Sequence, residues 1–263
     1  MNTLVEYHLL RPRQMMERRN ALPIAYIGLG ILEWHGMHNP LGLDGVKSNG
    51  VACYLARKLG GLVMPPQYWG EYRKEIAELE FDGSFRVPFS TDIDDCDHTI
   101  PIMNYLGIEK EAFTKDADRG KESGGYELWE KLLLKTLFQI ETLGFKAIVL
   151  IPGHYPLFRS VNKVIDSYIF EGGNCKILQL TDFLYDREGY SGDHAAAFET
   201  SLTMALYPEL VDLNELGDDL SKPNIGVIGR DPRIHASSKF GEKILERFSE
   251  ITEDFITTVL KNA

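Results

Sequence analysis

The chain has 263 residues, of which 44% are hydrophobic and 25% are charged, a composition typical of a globular protein with a full core. Acidic residues outnumber basic ones by 39 to 28, and the resulting net charge of -11 opposes binding to a phosphate backbone. Three cysteines lie far apart, which fits reduced thiols rather than a disulfide framework or a zinc ribbon. Composition therefore excludes a disordered or fibrous protein, argues against nucleic acid as a partner and favours a cytoplasmic location.

The N-terminal segment gives no sign of secretion or membrane insertion. Residues 1–20 carry several charges and no apolar core, unlike a signal peptide. The longest apolar stretch, 21–32, is too short to cross a bilayer and contains Pro23, Gly28 and Gly30. A buried strand explains this stretch better, and we expect no membrane segment.

Strand and helix patterns alternate along the chain. The predicted strands cover 24–29, 62–64, 147–151 and 176–180. The predicted helices cover 46–59, 126–143, 158–170, 195–207 and 239–260. The second of these helices places apolar residues at helical spacing, which predicts one buried face with Leu128, Trp129, Leu132, Leu133, Leu137 and Ile140. This order predicts a single three-layer α/β/α domain over 1–263 with a mainly parallel sheet, interrupted by an irregular insertion or lid at about 81–125.

Polar residues follow three of the predicted strands at the point where each strand ends. They are Glu33, His35 and Asp44 after the first strand, His154 after the third, and Asp193 and His194 after the fourth. Ligands of open parallel sheets bind at this carboxyl edge, so we expect these side chains to meet. Mixed oxygen and nitrogen donors suit divalent metals, and a carboxylate such as Asp44 can bridge two ions. Any one of these residues alone could instead make local hydrogen bonds in its loop.

His194 is the predicted catalytic residue, because an imidazole titrates near neutrality and can take a proton from water and pass it on. Asp193 either orients that ring or the substrate, or it caps the following helix. Glu199 lies about one and a half turns along that helix, where it either supports the metal ligands or lies on a solvated face. His38 is equally compatible with a metal-ligand role and with hydrogen bonds in the loop. No complete dinucleotide fingerprint or P-loop occurs, so no nucleotide cofactor is expected.

Several segments resemble the creatininase, or creatinine amidohydrolase, family. They are Glu33-x-His35-Gly36-x-His38-x-Pro40-Leu41-Gly42-x-Asp44, then Pro152-Gly153-His154, then His194 with Phe198-Glu199-Thr200-Ser201-Leu202, and finally Gly229-Arg230-Asp231-Pro232. The resemblance implies an α/β amidohydrolase that cleaves a C–N bond of a small cyclic amide or formamide. It also implies divalent metal, two ions of zinc, manganese or iron per subunit, and a homo-oligomer such as a hexamer.

Carried over by position, the resemblance implies that Glu33, Asp44 and His154 bind one ion and that His35 and Asp44 bind the other. His194 would act on the substrate.

The chain departs from creatininase at three positions, one of which is Asp193, where creatininase has a Glu. Pro156 stands where creatininase has a further metal-binding Glu, and Tyr190 stands where it places a substrate-covering Trp, so the creatinine pocket is not reproduced. Two alternatives within the family are a formamidopyrimidine-type deformylase and a peptide-precursor hydrolase. Pro156 also leaves open a non-catalytic, metal-stabilised ligand-binding or assembly protein.

Overall fold

The computed structural model describes residues 4–69, 100–109, 111, 126–185, 192–222 and 224–261. Its strands are β1 (Ile24–Leu29), β2 (Leu62–Val63), β3 (Ala147–Pro152) and β4 (Lys176–Gln179). Its α-helices are α1 (Pro12–Ala21), α2 (Leu43–Lys58), α3 (Ile100–Leu106), α4 (Tyr126–Thr142), α5 (Leu157–Phe170), α6 (Ala197–Leu206), α7 (Pro232–His235) and α8 (Ser238–Lys261). Short 3-10 helices cover Tyr7–Leu9, Asp182–Tyr185, Pro208–Leu210 and Leu213–Leu216. All four strands pair in parallel, in the order β2-β1-β3-β4.

The sheet is buried on both faces, because each strand sends alternate side chains into two separate cores. Ala25, Ile27 and Leu29 of β1 pack in one core with the apolar stripes of α4 and α5. Ile24 and Tyr26 of the same strand pack in the other core with α2, α6 and α8. Parallel strands covered by helices on both sides read as continuous apolar runs, as β1 and β3 do. The predicted three-layer α/β/α fold with a parallel sheet is therefore confirmed.

The apolar spacing also located all four strands and five of the helices to within a few residues. It missed α1, which buries none of its residues and so carries no apolar period, and the short helices α3 and α7. The predicted buried face of α4 was wrong at two positions, because Leu128 and Leu132 are each 57% exposed. The buried stripe follows Trp129 and Leu133, and a residue one position earlier lies about 100° around the helix.

Part of the sequence interpretation falls on positions outside the described ranges. Of the predicted insertion or lid at 81–125, only residues 100–109 and 111 are described, and they include α3. Tyr190 lies outside the described residues as well. The insertion stays a prediction. Among the described helices, none combines the length and apolarity that a bilayer crossing requires.

Candidate metal centre

Close backbone packing brings the ends of β1 and β3 against the start of α2. The Gly153 N–H donates to the Leu29 carbonyl at 2.6 Å. A Cβ atom at Gly153 would lie only 2.1 Å from the Asp44 carbonyl oxygen, and one at Gly30 only 2.3 Å from the Gly45 nitrogen. Glycine is therefore required at both crossings. This packing places His154, which follows Gly153, beside the first turn of α2.

Three side chains predicted as ligands of one ion meet at this point, and we call them the first donor set: Glu33, Asp44 and His154. His154 Nδ1 lies 2.8 Å from Glu33 Oε2 and 3.4 Å from Asp44 Oδ2. One donor atom from each residue falls within 4.8 Å of the other two, and all three residues are buried. The structure thus brings together residues that are up to 121 positions apart in the sequence.

A second donor set, formed by His35, Asp44 and Glu199, lies on the other side of Asp44. His35 Nε2 is 3.1 Å from Asp44 Oδ1 and 3.6 Å from Glu199 Oε2. His35 Nδ1 lies 3.0 Å from the Glu33 carbonyl oxygen. A carbonyl oxygen only accepts, so Nδ1 carries a proton, and in the neutral ring Nε2 presents its lone pair to the carboxylates.

Asp44 is common to both donor sets and supplies the test of whether they fit a cation. Its side chain is 1% exposed, and among the described residues its carboxylate oxygens are approached by ring nitrogens of His35 and His154 but accept no hydrogen bond from an amide, hydroxyl or ammonium group. Burying an anionic carboxylate in this way is costly unless a positive charge offsets it. Oxygen and imidazole donors on both sides of Asp44 are ligands that divalent ions accept. The residues therefore fit a divalent metal.

The electrostatics of the cluster follow from burial and from the mixture of charges. Burial favours the neutral form of Asp44, but the adjacent His35 and His154 lower its pKa overall. Burial likewise opposes protonation of His35, yet the carboxylates of Asp44 and Glu199 raise its pKa to about 9. The site thus has a field that attracts cations.

His194 reaches the same cluster from a strand-like segment that pairs with Ile228. Its Nε2 lies 2.9 Å from the Trp34 carbonyl oxygen, so Nε2 donates and Nδ1 holds the lone pair. Nδ1 is 4.0 Å from Glu33 Oε2, and the ring stacks on His35 with 4.2 Å between centroids. Nδ1 of His194 therefore faces the donor sets.

Asp193 uses both carboxylate oxygens to cap α6. One oxygen accepts from the Phe198 N–H at 2.8 Å and the other from the Glu199 N–H at 3.2 Å. Burial and the nearby Glu199 raise the pKa of Asp193 well above its usual value. These bonds match the helix-capping alternative, and a contact between Asp193 and substrate stays a prediction.

Glu199 is buried with 4% exposure, so the solvated face considered for it is wrong. Its Oε1 accepts a hydrogen bond from Lys47 Nζ, and Lys47 is 2% exposed. Lys47 Nζ also lies 3.8 Å from Asp182 Oδ2. Burial lowers the pKa of Lys47, but Glu199 and Asp182 outweigh that effect and raise it. Burial raises the pKa of Asp182 to about 6, even with Lys47 nearby.

Sequence reasoning did not single out Lys47. A signal was present, because Lys47 is the one basic residue in the buried part of α2 and lies one turn after Asp44.

His38 connects the metal-site loop to α6, with Nε2 2.9 Å from Thr200 Oγ1. Burial lowers the pKa of His38 to about 4, so it is neutral and acts in hydrogen bonding.

The fold and the cluster define an α/β protein with a buried carboxylate–imidazole centre at the carboxyl edge of its sheet. Residues 120–256, just over half of the chain, match the family model described as "Creatininase: Creatinine amidohydrolase". The chain belongs to the creatininase family.

Individual relatives are similar along most of the chain. A creatinine amidohydrolase of Pseudomonas putida is 24% identical over 213 residues, which are 74% of this chain and 68% of that protein. A tryptophan-to-alanine mutant of creatininase has a TM-score of 0.64 at 22% identity, covering 97% of this chain and 98% of that one. A structure named "Creatininase Mn" has a TM-score of 0.61 at 22% identity, with the same coverage. At these identities the solved structures show a shared fold.

Proposed function

We propose that this protein is a metal-dependent hydrolase that cleaves a non-peptide C–N bond in a small cyclic amide or formamide. The observation that carries the proposal is the buried Asp44 carboxylate, which has an imidazole nitrogen beside each of its oxygens and belongs to two sets of metal-compatible donors. In the first donor set, Glu33, Asp44 and His154 would hold a divalent ion, with zinc, manganese and iron as the candidates. Membership of the creatininase family supports hydrolysis of an amide.

The residues around the centre suit the proton transfers that this hydrolysis needs. A bound divalent ion supplies Lewis acidity for the attack of water on an amide carbon. His194 Nδ1 takes a proton from the attacking water, because its lone pair faces the centre while Nε2 is held by the Trp34 carbonyl. The same nitrogen then gives the proton to the departing nitrogen as the C–N bond breaks. His35 stacks on the ring of His194 and helps fix its plane.

Substrate identity is the part of the proposal that relatives inform least. Pro156 precedes the first residue of α5 and offers no metal-binding side chain. A panel of creatinine, other small lactams and cyclic ureas, formamides, a formamidopyrimidine and a short peptide would separate the amidohydrolase from a deformylase and from a peptide-precursor hydrolase. Turnover of none of them, with metal bound, would favour the non-catalytic binding or assembly protein. A cytoplasmic location and a homo-oligomer stay predictions.

The decisive experiment combines metal content with a His194→Ala variant. The chelator-treated protein is reloaded with zinc, manganese or iron, its metal is measured by mass spectrometry, and turnover is followed by release of amine or formate. We expect at least one ion per chain and a loss of about 100-fold or more in kcat for His194→Ala, with unchanged metal content.

The matched control is His8→Ala, at an exposed histidine in a 3-10 helix outside the centre. This control should leave both turnover and metal content unchanged. A reloaded protein without stoichiometric metal would refute the proposal. An unchanged rate for His194→Ala would remove the role given to that residue.

A further inference from the structure

The second donor set is separate from the set that holds the first ion, although both share Asp44. Its members are His35, Asp44 and Glu199, and one donor atom from each of them lies within 4.8 Å of the other two. Each of the three residues is buried. Asp44 Oδ1 lies 3.1 Å from His35 Nε2 and accepts no hydrogen bond from an amide, hydroxyl or ammonium group of the described residues.

We propose that Glu199 completes a second divalent-metal site with His35 and Asp44, and that this site takes its third protein ligand from α6 instead of from the turn after β3. This inference rests on the proposed function, because it presumes that the centre binds metal. It goes beyond that function by assigning a metal-ligand role to Glu199. Pro156 in the turn after β3 has no donor to offer, whereas the Glu199 carboxylate is already in place.

The separations among the donors match those around a small divalent ion. Ligands at about 2.0–2.2 Å from an ion are about 2.9–3.6 Å from one another in octahedral or tetrahedral geometry. The two separations from His35 Nε2, 3.1 Å to Asp44 and 3.6 Å to Glu199, fall within this range. An ion placed among the three atoms would need little movement of the side chains.

The His35 ring is fixed in the orientation that ligation needs. Its Nδ1–H bond to the Glu33 carbonyl leaves Nε2 unprotonated in the neutral ring, with the lone pair toward Asp44 and Glu199. His194 stacks on the face of the same ring. Neither contact uses Nε2, so the ligating atom stays available.

The Glu199 carboxylate is held at both of its oxygens, which distinguishes it from an acidic side chain that happens to be nearby. Oε2 accepts from the Ala195 N–H at 2.7 Å, and Ala195 has a φ of 55°, a left-handed backbone that a non-glycine residue rarely adopts. Oε1 accepts from the ammonium of Lys47. The two bonds leave Oε2 facing His35, with a lone pair for a cation.

Lys47 also explains how so many carboxylates can share a buried site. Its ammonium binds the oxygen of Glu199 that faces away from His35 and approaches Asp182 as well. It therefore offsets negative charge behind the second donor set without occupying the space among the three donor atoms. Lys47 acts here as a positioning residue for Glu199.

The test measures how many ions bind to wild-type protein and to Glu199→Gln, which keeps the size of the side chain and removes its charge. Chelator-treated protein is titrated with Mn²⁺ or Zn²⁺, and bound metal is counted after desalting. We expect two ions per chain for wild type and one for Glu199→Gln, with the affinity of the remaining ion within about 3-fold of wild type. The matched control is Glu253→Gln, at an exposed glutamate of α8, which should bind two ions.

A spectroscopic measurement on wild-type protein keeps the inference testable even where Glu199→Gln fails to fold. Two Mn²⁺ ions that share the Asp44 carboxylate are exchange-coupled, so their electron paramagnetic resonance spectrum differs from the six-line spectrum of an isolated ion. Two bound ions with only six-line signals, or two ions retained by Glu199→Gln at wild-type affinity, would overturn the inference. One ion in wild type would also overturn it while leaving the proposed function intact, whereas no ion at all would refute both.

Discussion

Replacing Lys47 by Met removes an ammonium group that contacts the buried carboxylate of Glu199 and lies 3.8 Å from the half-buried carboxylate of Asp182. Breaking a buried ion pair from one side costs about 3–5 kcal/mol, because the remaining charge is left uncompensated. At about 2–4 °C per kcal/mol for a domain of roughly this size, Tm should fall by roughly 6–20 °C. The melting experiment is run with chelator present, since bound metal would add its own contribution to stability.

Lys58→Met is the matched control, because it is the same substitution on the same helix. Lys58 pairs with Glu246 at the surface, where the two side chains are 38% and 60% exposed. Exposed pairs contribute only about 0–1 kcal/mol, so this variant should melt within a few degrees of wild type. The double variant Lys47→Met with Glu199→Gln removes both charges and should regain much of the lost stability. Equal melting of Lys47→Met and Lys58→Met would show that Lys47 does not have the buried pairing described above.

Two further predictions concern the close backbone contact at Gly153 and the loss of folding stability at acidic pH. Gly153→Ala should destabilise the protein by about 1–3 kcal/mol and weaken metal binding, because its Cβ would meet the Asp44 carbonyl. Gly42→Ala, whose Cβ meets only a side-chain carbon at 3.4 Å, is the control for calorimetry and metal titration. Burial raises the pKa of Asp231, but Arg233 lowers it overall, so this pair adds stability above about pH 4 that is lost as pH falls through the folded pKa. Asp231→Asn should therefore melt below wild type at neutral pH, with a gap that narrows below about pH 4; a gap independent of pH in urea titrations would contradict this assignment.

The features that were predicted correctly from the sequence depend on the spacing of apolar residues within short segments of the chain. β1 reads as an unbroken apolar run because it is buried on both faces, and the stripe of α4 repeats at helical intervals. Parallel strands share one carboxyl edge, so the meeting of Glu33, Asp44 and His154 followed from where each strand ends.

The features that sequence reasoning missed depend on contacts between distant segments. In the sequence Lys47 resembles any other lysine of a helix. Its carboxylate partner is 152 positions away on α6, which packs beside α2 only in the folded structure. The orientation of the Glu199 side chain depends on Ala195, whose backbone has a left-handed conformation. The residue type alone does not predict that conformation. Leu128 looked buried because hydrophobicity alone does not say which edge of an apolar stripe meets a neighbouring helix.

The placement of the carboxylates in the two donor sets indicates that the centre is assembled before any ion arrives. Asp44 lies in the first turn of α2 and Glu199 in the first turn of α6, where the helix dipole stabilises negative charge. Asp193 ties down two amides of α6, and Lys47 offsets part of the remaining charge. Each of these interactions is independent of metal and lowers the cost of holding carboxylates close together. Chelator-treated protein should therefore keep its circular dichroism spectrum and a cooperative melt, and unfolding on metal removal would show that the ion itself organises the site.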